Sequence, residues 1–387
     1  MKKILVFGST GSIGKGVLDI LRRNKKDFSL YGLSAHKNIA MLERQVREFN
    51  PSYVCLTDER AADKLKNLLP PKIKLLRGET GLEEFSSLIS DISVMGISGI
   101  AALKPLLINI KNTKRVALAN KESMVIAGSL VKKQAKLNNT EILPVDSEIN
   151  ALYQTLACFR KSFLEKIYLT ASGGPLFHLR KASQFKKIKA KDVLRHPTWN
   201  MGKRISVDSA TLVNKGFEVI ESHEFFDIDY KMIDVLIHRE SQIHSLVELK
   251  DGVSFLCAYE PDMRVPIGYA LYYPQRVPFL KDKGFRVGSK KLGLTFLNVD
   301  YKKFPLMKLV VEAGKRKDNS IAVINAADEV AIEYFLKGKV NFLSISEVIK
   351  YMFDKCPPGK LQSLKDVLFW DNWAREKAKE YLEKKCC

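Results

Sequence analysis

The sequence has no apolar run long enough to cross a membrane, which takes about 18 consecutive residues with few or no charges. It also lacks low-complexity tracts and internal repeats, which excludes collagen-like and solenoid proteins. The start, MKKILVFGS, has no small-residue cleavage site and is more typical of a first β-strand than of a signal peptide. We therefore expect a cytoplasmic protein that begins at Met1, has no membrane partner and, with 387 residues, has two or three domains.

Cysteine is sparse, and its spacing matches no zinc or redox motif. The six cysteines are Cys55, Cys158, Cys257, Cys356, Cys386 and Cys387. The closing KKCC is not a prenylation motif. These observations predict free thiols in a reducing compartment.

Acidic residues are also scarce, with 43 Asp and Glu against 64 Lys and Arg, which gives a net charge of +21. Such a balance raises nucleic acids and acidic ligands as partners. However, the lysines are spread along the chain, and no basic tract interleaved with aromatic residues is present. We therefore expect a lysine-rich surface and no nucleic-acid partner.

A glycine-rich stretch, GSTGSIGKG, follows the first apolar run and precedes a helical pattern that starts at Ser12. A P-loop is excluded because Ser9 stands where its first glycine is needed and Gly16 stands where it needs Ser or Thr. The spacing Gly8-x-x-Gly11-x-x-Gly14 is instead a variant of the dinucleotide fingerprint. It predicts a loop that holds a pyrophosphate at a strand-to-helix turn.

The next predicted strand, FSLYGLSAHKN, lacks the acidic residue that an NAD enzyme places near the ribose hydroxyls. Ser34, His36, Lys37 and Asn38 stand there instead, and a cation with hydrogen-bond donors suits a 2′-phosphate. The pattern favours NADP over NAD. The alternative is that Lys37 merely starts the next helix on a solvated face.

The pattern of the whole chain predicts an α/β protein with an N-terminal Rossmann-like doubly wound parallel sheet, an α+β catalytic domain and a C-terminal helical bundle. Strands are expected near 3–7, 28–33, 53–56, 73–76, 92–95, 114–117 and 141–145. The predicted division is 1–146 for NADPH binding, 147–272 for metal, substrate and catalysis, 273–299 as a linker, and 300–387 as the bundle.

Two carboxylates lie in PVDSE, at the end of the last strand of the first domain. Asp146 and Glu148 are two residues apart, so on an extended backbone they point the same way. Their oxygen atoms favour magnesium or manganese over zinc. An equally good alternative is a helix cap, formed by Asp146 or Ser147, with Glu148 near the positive end of the dipole.

A helical segment at 206–226 adds a second set of polar groups. Asn214, Glu218 and Glu221 share one face of this helix, and Glu218 could complete a metal site with Asp146 and Glu148. A monophosphate would suit the hydroxyl, amide and cation of Ser209, Asn214 and Lys215, together with Ser172 in the turn TASGGPLF. Gly216 inside the helix predicts a close approach by a ligand or by backbone.

The stretch HPTWNMG, at 196–202, has the composition of a loop. Its Trp199 could close over a ligand and exclude water. The alternative is an ordinary core tryptophan.

Taken together, these stretches resemble one family, the 1-deoxy-D-xylulose 5-phosphate reductoisomerases. The resemblance rests on GSTGSIG, LANKESMV, PVDSE, ASGGP, HPTWNMG, VDSATLVNKGFEVIE, MRVPIGYALYYPQR and NAADEVA, in this order along nearly the whole chain. It implies a homodimeric oxidoreductase that uses NADPH and Mg²⁺ or Mn²⁺. The implied reaction rearranges and reduces 1-deoxy-D-xylulose 5-phosphate to 2-C-methyl-D-erythritol 4-phosphate, in the non-mevalonate route to isoprenoid precursors.

The resemblance also implies a role for individual residues. The cofactor would contact Thr10, Gly11, Ser12, Ile13, His36, Lys37, Asn38, Asn120, Glu122 and Gly202. The metal ligands would be Asp146, Glu148 and Glu218, which would act in catalysis with Lys121 and His196. The substrate would contact Lys121, Ser147, Glu148, Ser172, His196, Ser209, Asn214, Lys215 and Glu218, and Trp199 and Met201 would belong to a closing loop.

The sequence departs from the family pattern at four places. His36 stands where a small residue is usual, beside the expected 2′-phosphate position, and Ile149 replaces a histidine. Arg239-Glu240 replaces Pro-Gln, and Asp328 replaces an asparagine of the bundle. None of these positions is an expected metal ligand, so we expect the activity to be retained.

Overall fold

The computed structural model describes residues 1–179, 182–195, 202–280 and 293–386. The chain forms two compact units. Unit 1 comprises Met1–Ser123, Val131–Asn150 and Asp262–Gly284, and unit 2 comprises Met124–Leu130, Ala151–Pro261 and Phe285–Cys387. Residues 262–280 therefore fold with the first unit, although the sequence analysis predicted that they belong partly to the catalytic domain and partly to a linker. The division into functional domains stays a prediction, because compactness and function need not divide a chain at the same residues.

Unit 1 is built on a seven-stranded sheet in which all neighbouring strands are parallel. The strands are β1 (Lys2–Phe7), β2 (Phe28–Ala35), β3 (Tyr53–Leu56), β4 (Lys74–Arg77), β5 (Ser90–Met95), β6 (Thr113–Leu118) and β7 (Glu141–Pro144). Their order across the sheet is β4-β3-β2-β1-β5-β6-β7. The predicted doubly wound parallel sheet is thus confirmed, strand by strand.

The central strand β1 shows why these apolar runs form strands. Residues Ile4–Phe7 are fully buried, as expected for a strand covered on both faces by helices. The Phe7 ring packs edge-to-face on Phe85, with 5.0 Å between the ring centroids. Burial on both faces explains why β1 has no alternation of polar and apolar residues.

Helices connect the strands and continue to the end of the chain. In chain order they are α1 (Ser12–Arg23), α2 (Ile39–Phe49), α3 (Glu59–Lys66), α4 (Gly78–Ser86), α5 (Leu103–Asn109), α6 (Lys121–Leu137), α7 (Ser147–Leu156), α8 (Ala182–Phe185), α9 (Ala190–Val193), α10 (Lys203–Thr211), α11 (Val213–Phe226), α12 (Arg264–Tyr272), α13 (Pro305–Arg316), α14 (Ser320–Leu336), α15 (Leu343–Asp354) and α16 (Leu364–Cys386). Short 3₁₀ turns lie at Ile100–Ala102, Ile110–Asn112, Lys161–Phe163 and Tyr230–Met232.

Helix α12 is attached to unit 1 by polar contacts. Arg264 forms ion pairs with Asp19 of α1 and with Asp262, each at 2.6 Å. At the other end of α12, the Tyr272 hydroxyl donates a hydrogen bond to Asp27, at 2.5 Å. The contacts with Asp19 and Asp27 join residues 245 positions apart, which is why the sequence pattern did not predict them.

Unit 2 contains a mixed sheet in the order β11-β10-β8-β9-β12. Its strands are β8 (Leu164–Ala171), β9 (Ile233–Ile237), β10 (Ile243–Leu249), β11 (Ser254–Ala258) and β12 (Leu297–Asn298). The β8–β9 pair is parallel and the other pairs are antiparallel. This arrangement confirms the predicted α+β character of the second region.

The C-terminal helices α13 to α16 confirm the predicted helical region, with α14 at its centre. Arg204 joins this region to α10 through ion pairs with Glu329, at 2.6 Å, and Asp328, at 3.4 Å. Asp328 is fully buried, and this burial raises its pKa to about 6. The departure from asparagine at this position therefore places a titratable group inside the helical region.

Candidate active site

The strand order of unit 1 reverses between β1 and β5, and doubly wound sheets bind ligands at such a point. The backbone of both strands turns there. Gly96 N donates to Phe7 O at 3.0 Å. Gly8 has φ +74°, and a Cβ atom on it would lie 2.6 Å from Gly96 O. The glycine turns after β1 and β5 thus lie side by side, and Gly8 permits their close approach.

The loop after β1 is held by polar contacts from two neighbouring elements. Ser9 N donates to Ser34 O at 2.8 Å. The Ser9 hydroxyl donates to Gln45 Oε1 at 2.8 Å, and Gln45 Nε2 donates back to Ser9 O at 2.9 Å. Sequence analysis missed Gln45. Its signal was a polar residue on the apolar face of α2, between Leu42 and Val46.

The third glycine of the motif brings the helix onto the loop. A Cβ atom on Gly14 would lie 2.4 Å from Ser9 Cα, so no other residue fits without a backbone shift. The N-cap residue of α1, Gly11, provides no side-chain cap, so the first N–H groups of the helix remain for a ligand. Thr10, Gly11, Ser12 and Ile13 all lie at this helix N-terminus.

The segment after β2 carries the residues expected near the 2′-phosphate. His36, Lys37 and Asn38 are all exposed. Asn38 caps α2 by accepting from Met41 N at 3.2 Å, and His36 Nδ1 lies 2.8 Å from the hydroxyl oxygen of Thr57. The segment therefore does begin a helix, α2, as the alternative interpretation expected. The side chains of His36, Lys37 and Asn38 face solvent at the end of β2.

Asn120 and Glu122 fix the turn that follows β5. Asn120 Nδ2 donates to Gly99 O at 3.0 Å, and Gly99 N donates to Glu122 Oε1 at the same distance. Asn120 also caps α6 through Ser123 N, at 2.9 Å. Both predicted cofactor residues thus lie at the carboxyl edge of the sheet, where they hold a turn with a left-handed glycine.

Asp146 lies directly after β7, and its two oxygens have different partners. Oδ2 forms a 2.7 Å ion pair with Lys121, and both side chains are about nine-tenths buried. Oδ1 caps α7 by accepting from Glu148 N at 3.2 Å. The helix-cap alternative is therefore correct for Asp146, and it leaves the second oxygen directed at the lysine.

The expectation that Asp146 and Glu148 share an extended backbone is wrong. Ser147 and Glu148 belong to helix α7, so the carboxylates of Asp146 and Glu148 are not on an extended strand. The Ser147 hydroxyl donates to the Glu148 carboxylate. The signal for this was the cap residue followed by the amphipathic pattern of 149–156, which sets the helix start one residue after Asp146.

In unit 2, Glu218 receives two donors from the preceding turn of α11. Both Asn214 Nδ2 and Lys215 Nζ donate to its carboxylate. Lys215 also donates to Thr170 O at 2.6 Å, and it is 4% exposed, against 1% for Glu218. The predicted helix that carries Asn214 and Glu218 is present as α11, and Lys215 lies on it beside them. They form a buried, charge-balanced cluster.

A glycine turn after β8 lies against the end of α10. Gly173 and Gly174 have φ +77° and +68°, and a Cβ atom on Gly174 would lie 2.5 Å from Ser209 O. The Ser172 hydroxyl accepts from Gly174 N at 3.2 Å. The turns that carry Ser172 and Ser209 are therefore neighbours, as a shared phosphate pocket requires.

The remaining predictions fall in three places. Gly202 is exposed and precedes α10 as its N-cap residue. A Cβ atom on Gly216 would lie 2.9 Å from Val310 Cβ, so the close approach predicted there is made by helix α13. His196, Trp199 and Met201 lie outside the described residues.

Family models match most of the chain. Residues 4–128 match 1-deoxy-D-xylulose 5-phosphate reductoisomerase, and residues 142–226 match its C-terminal domain. Residues 259–377 match a further C-terminal domain of DXP reductoisomerase.

The chain is also similar to whole proteins of this kind. A 1-deoxy-D-xylulose 5-phosphate reductoisomerase of Thermodesulfovibrio yellowstonii is 42% identical over 382 residues, which cover 98% of this chain and 99% of the relative. A crystal structure of a DOX-P reductoisomerase with NADPH, fosmidomycin and magnesium has a TM-score of 0.92 at 32% identity, covering 99% of this chain and 98% of the other. The enzyme from Zymomonas mobilis in complex with NADPH has a TM-score of 0.87 at 34% identity, covering 99% of each chain.

The fold and its glycine-rich loop define the class of this protein, which is a dinucleotide-dependent oxidoreductase. Within that class, the full-length similarity decides the family. The chain belongs to the 1-deoxy-D-xylulose 5-phosphate reductoisomerase family.

Proposed function

We propose that this chain catalyses the NADPH- and divalent-metal-dependent rearrangement and reduction of 1-deoxy-D-xylulose 5-phosphate to 2-C-methyl-D-erythritol 4-phosphate. The observation that carries the proposal is similarity over 99% of the chain to a reductoisomerase that was crystallised with NADPH, fosmidomycin and magnesium. The loop at Gly8–Gly14 and the buried Lys215–Glu218 cluster add support from this chain's own residues.

NADPH would bind at the N-terminus of α1. Thr10, Gly11, Ser12 and Ile13 would contact its pyrophosphate, since a helix N-terminus favours anions. The exposed His36, Lys37 and Asn38 would surround the 2′-phosphate. Asn120, Glu122 and Gly202 would complete the cofactor site, with the first two keeping the Gly99 turn in place.

A divalent cation would bind Asp146, Glu148 and Glu218. These three form a set of carboxylates among the described residues that could hold a metal ion. Oxygen donors alone fit Mg²⁺ or Mn²⁺ better than zinc, so the donor set agrees with the expected ion. When bound, the ion supplies Lewis-acid chemistry that polarises the substrate's carbonyl group.

The protein's own groups would hold the substrate on either side of this ion. Ser172, Ser209, Asn214 and Lys215 would bind the phosphate, and their hydroxyl, amide and ammonium groups are suited to phosphate oxygens. Lys121 and Ser147 would contact the sugar portion beside Asp146 and Glu148. Binding energy from the phosphate would orient the reacting carbons.

The loop with His196, Trp199 and Met201 would close over the bound substrate. Carbon–carbon bond cleavage and re-formation, by retro-aldol and aldol steps, would produce fragments that must neither escape nor meet water. His196 would contact the substrate from this loop.

The decisive experiment follows NADPH absorbance in purified protein with 1-deoxy-D-xylulose 5-phosphate, with and without Mg²⁺ or Mn²⁺. We expect oxidation that requires the metal and stops on addition of a chelator. Metal-independent oxidation would contradict the metal site. No oxidation in protein that binds NADPH would overturn the substrate assignment but not the cofactor assignment.

We also propose a homodimer that includes the edge strand β11. Phe255 and Leu256 of this strand are 39% and 42% exposed, and an exposed apolar edge strand invites pairing with another chain. Changing Phe255 to Lys should convert dimer to monomer, because lysine on an edge strand opposes pairing. Sedimentation equilibrium measures this, and an unchanged dimer would place the interface elsewhere.

For the location we propose the cytoplasm, where NADPH and phosphorylated sugars are available to a biosynthetic enzyme. Cys55, Cys158 and Cys356 are free thiols, in line with a reducing compartment. None of the described helices is both long and apolar enough to cross a membrane. The absence of a nucleic-acid partner remains a prediction, and a filter-binding titration at low salt would test it.

A further inference from the structure

The turn between β9 and β10 sends an arginine onto the glycine turn that carries Ser172. Arg239 Nη1 donates to Ser172 O at 3.0 Å and to Gly174 O at 3.2 Å. The same guanidinium lies over the Phe177 ring, 5.0 Å from its centroid. One side chain thus contacts both ends of the turn and the aromatic ring that follows it.

The glycine turn is confined on its other sides. A Cβ atom on Gly173 would lie 2.7 Å from the Phe177 ring, and one on Gly174 would lie 2.5 Å from Ser209 O. Both glycines have positive φ, which glycine adopts readily. Because glycine has no side chain, neither residue can stabilise the turn by side-chain packing. Arg239 therefore adds two polar contacts from outside the turn to the internal hydrogen bond between Gly174 N and the Ser172 hydroxyl.

Arg239 itself projects from a rigid turn. His238 is fully buried, and its Nε2 accepts from both Gln242 N and Ile243 N at 3.2 Å. Because Nε2 is an acceptor, the proton lies on Nδ1, which donates to Thr295 O at 3.0 Å. His238 N also donates to Ala171 O at 2.7 Å, directly before Ser172. The backbone next to Arg239 is thus fixed relative to the turn that Arg239 contacts.

We propose that Arg239 is a positioning residue that fixes the Ser172–Gly174 turn so that the Ser172 hydroxyl and the neighbouring N–H groups meet the substrate phosphate. The inference rests on the proposed function and deepens it.

Steady-state kinetics of Arg239→Ala and Arg239→Lys test this role. For Arg239→Ala we expect the KM for 1-deoxy-D-xylulose 5-phosphate to rise about tenfold, which corresponds to losing hydrogen bonds from one charged group. The kcat should change less than the KM, and the KM for NADPH should stay constant. Arg239→Lys keeps a cation over Phe177 and one donor, so it should recover part of the loss.

The matched control is Arg316→Ala. Arg316 is also an exposed arginine of unit 2 stacked on a phenylalanine, Phe353, at 3.9 Å from the centroid. It should leave both KM values unchanged. An equal rise in the Arg316 variant, or no rise in Arg239→Ala, would overturn the positioning role.

The double variant with Ser172→Ala separates positioning from direct contact. If Arg239 acts through the turn, the two residues form one unit. The KM of the double variant should then be no higher than that of the single variant with the higher KM. Multiplied effects would assign Arg239 a separate contact and overturn the inference. Wild-type protein that binds NADPH but does not turn over this substrate would instead overturn the proposed function, so the two failures are distinguishable.

Discussion

The two units present polar groups to ligands in different ways. In unit 1 the groups are backbone N–H donors at strand ends, exposed because glycines let the chain turn at Gly8 and start α1 at Ser12. In unit 2 they are charged side chains buried in pairs, such as Lys215 with Glu218. The exposed N–H groups of unit 1 depend on the spacing of glycines within one short stretch of sequence. The buried pairs of unit 2 depend on which helix turns pack together.

Each unit also contains one buried lysine–carboxylate pair described above, and the two pairs are brought together in different ways. Lys121 and Asp146 follow adjacent parallel strands, β6 and β7, so the sheet alone brings them together. Lys215 and Glu218 lie on one helix, and Lys215 reaches Thr170 O on β8 as well. Removing one partner of a buried ion pair strongly destabilises the folded protein, because the other charge is left buried and uncompensated. Each pair therefore holds a carboxylate in place before any ligand arrives.

The largest effect should come from breaking the cluster in unit 2 with Glu218→Gln. Loss of one proposed metal ligand should weaken Mn²⁺ binding and lower turnover about 100-fold or more, since even residues that only orient metal ligands contribute 10–100-fold. NADPH binding should stay nearly intact, because its proposed contacts other than Gly202 lie in unit 1. Isothermal titration with Mn²⁺ and with NADPH measures both.

Glu312→Gln is the matched control for that change. Glu312 is an exposed glutamate of α13 in the same unit, and its neutralisation should leave Mn²⁺ affinity unchanged. Unaltered Mn²⁺ affinity in Glu218→Gln would remove Glu218 from the metal site. An equal loss in both variants would show a general charge effect.

The corresponding test of unit 1 is Gly14→Ala. The added Cβ atom would lie 2.4 Å from Ser9 Cα, and because that atom is backbone, the loop itself must shift. We expect a loss of stability of up to about 3 kcal/mol, the upper range for overpacking. The NADPH Kd should rise at least about tenfold, measured by fluorescence titration, since 1.4 kcal/mol suffices for that.

Gly16→Ala provides the comparison two residues further along α1. Its Cβ atom would lie 2.9 Å from Ile267 Cδ1, the flexible end of a side chain, which can move away. This variant should bind NADPH nearly as well as the wild type. If both variants bound NADPH equally well, close packing of the loop on α1 would not be what shapes the cofactor site.

The contrast also explains what the sequence could predict. All seven strands of unit 1 were predicted within a few residues, because buried apolar runs and glycine turns are local patterns. The contacts of Arg204 with Asn325 and Glu329 span more than 120 residues, so no local pattern contains them. The same holds for Arg264 of α12, which pairs with Asp19. Asp146 is an intermediate case. Its sequence context is local, but it fitted both a metal ligand and a helix cap until the start of α7 was known.

The smallest effect concerns Asp328, the buried carboxyl of the helical region. Burial raises its pKa from an ordinary 3.8 to about 6, and the nearby Glu329 acts in the same direction, whereas Arg204 and a hydrogen bond with Asp208 oppose it. Because the folded pKa is the higher one, the contribution of this group to stability is fully present below pH 3.8 and is lost as the pH rises through about 6.

Asp328→Asn should remove this loss, because an amide does not titrate. Arg204 keeps Glu329 and Asn325 as partners, so no unpaired charge remains. The thermal midpoint of the variant should therefore fall less than that of the wild type between pH 4 and pH 7. The corresponding difference in the free energy of unfolding is at most about 1.4 kcal/mol per pH unit.

Asp366 provides a control of opposite sign. Its hydrogen bond with Ser363 lowers its pKa, so its stabilising effect is lost as the pH falls. Asp366→Asn should thus lose stability above pH 4, and a shift of the same sign in both variants would contradict the assignment to Asp328.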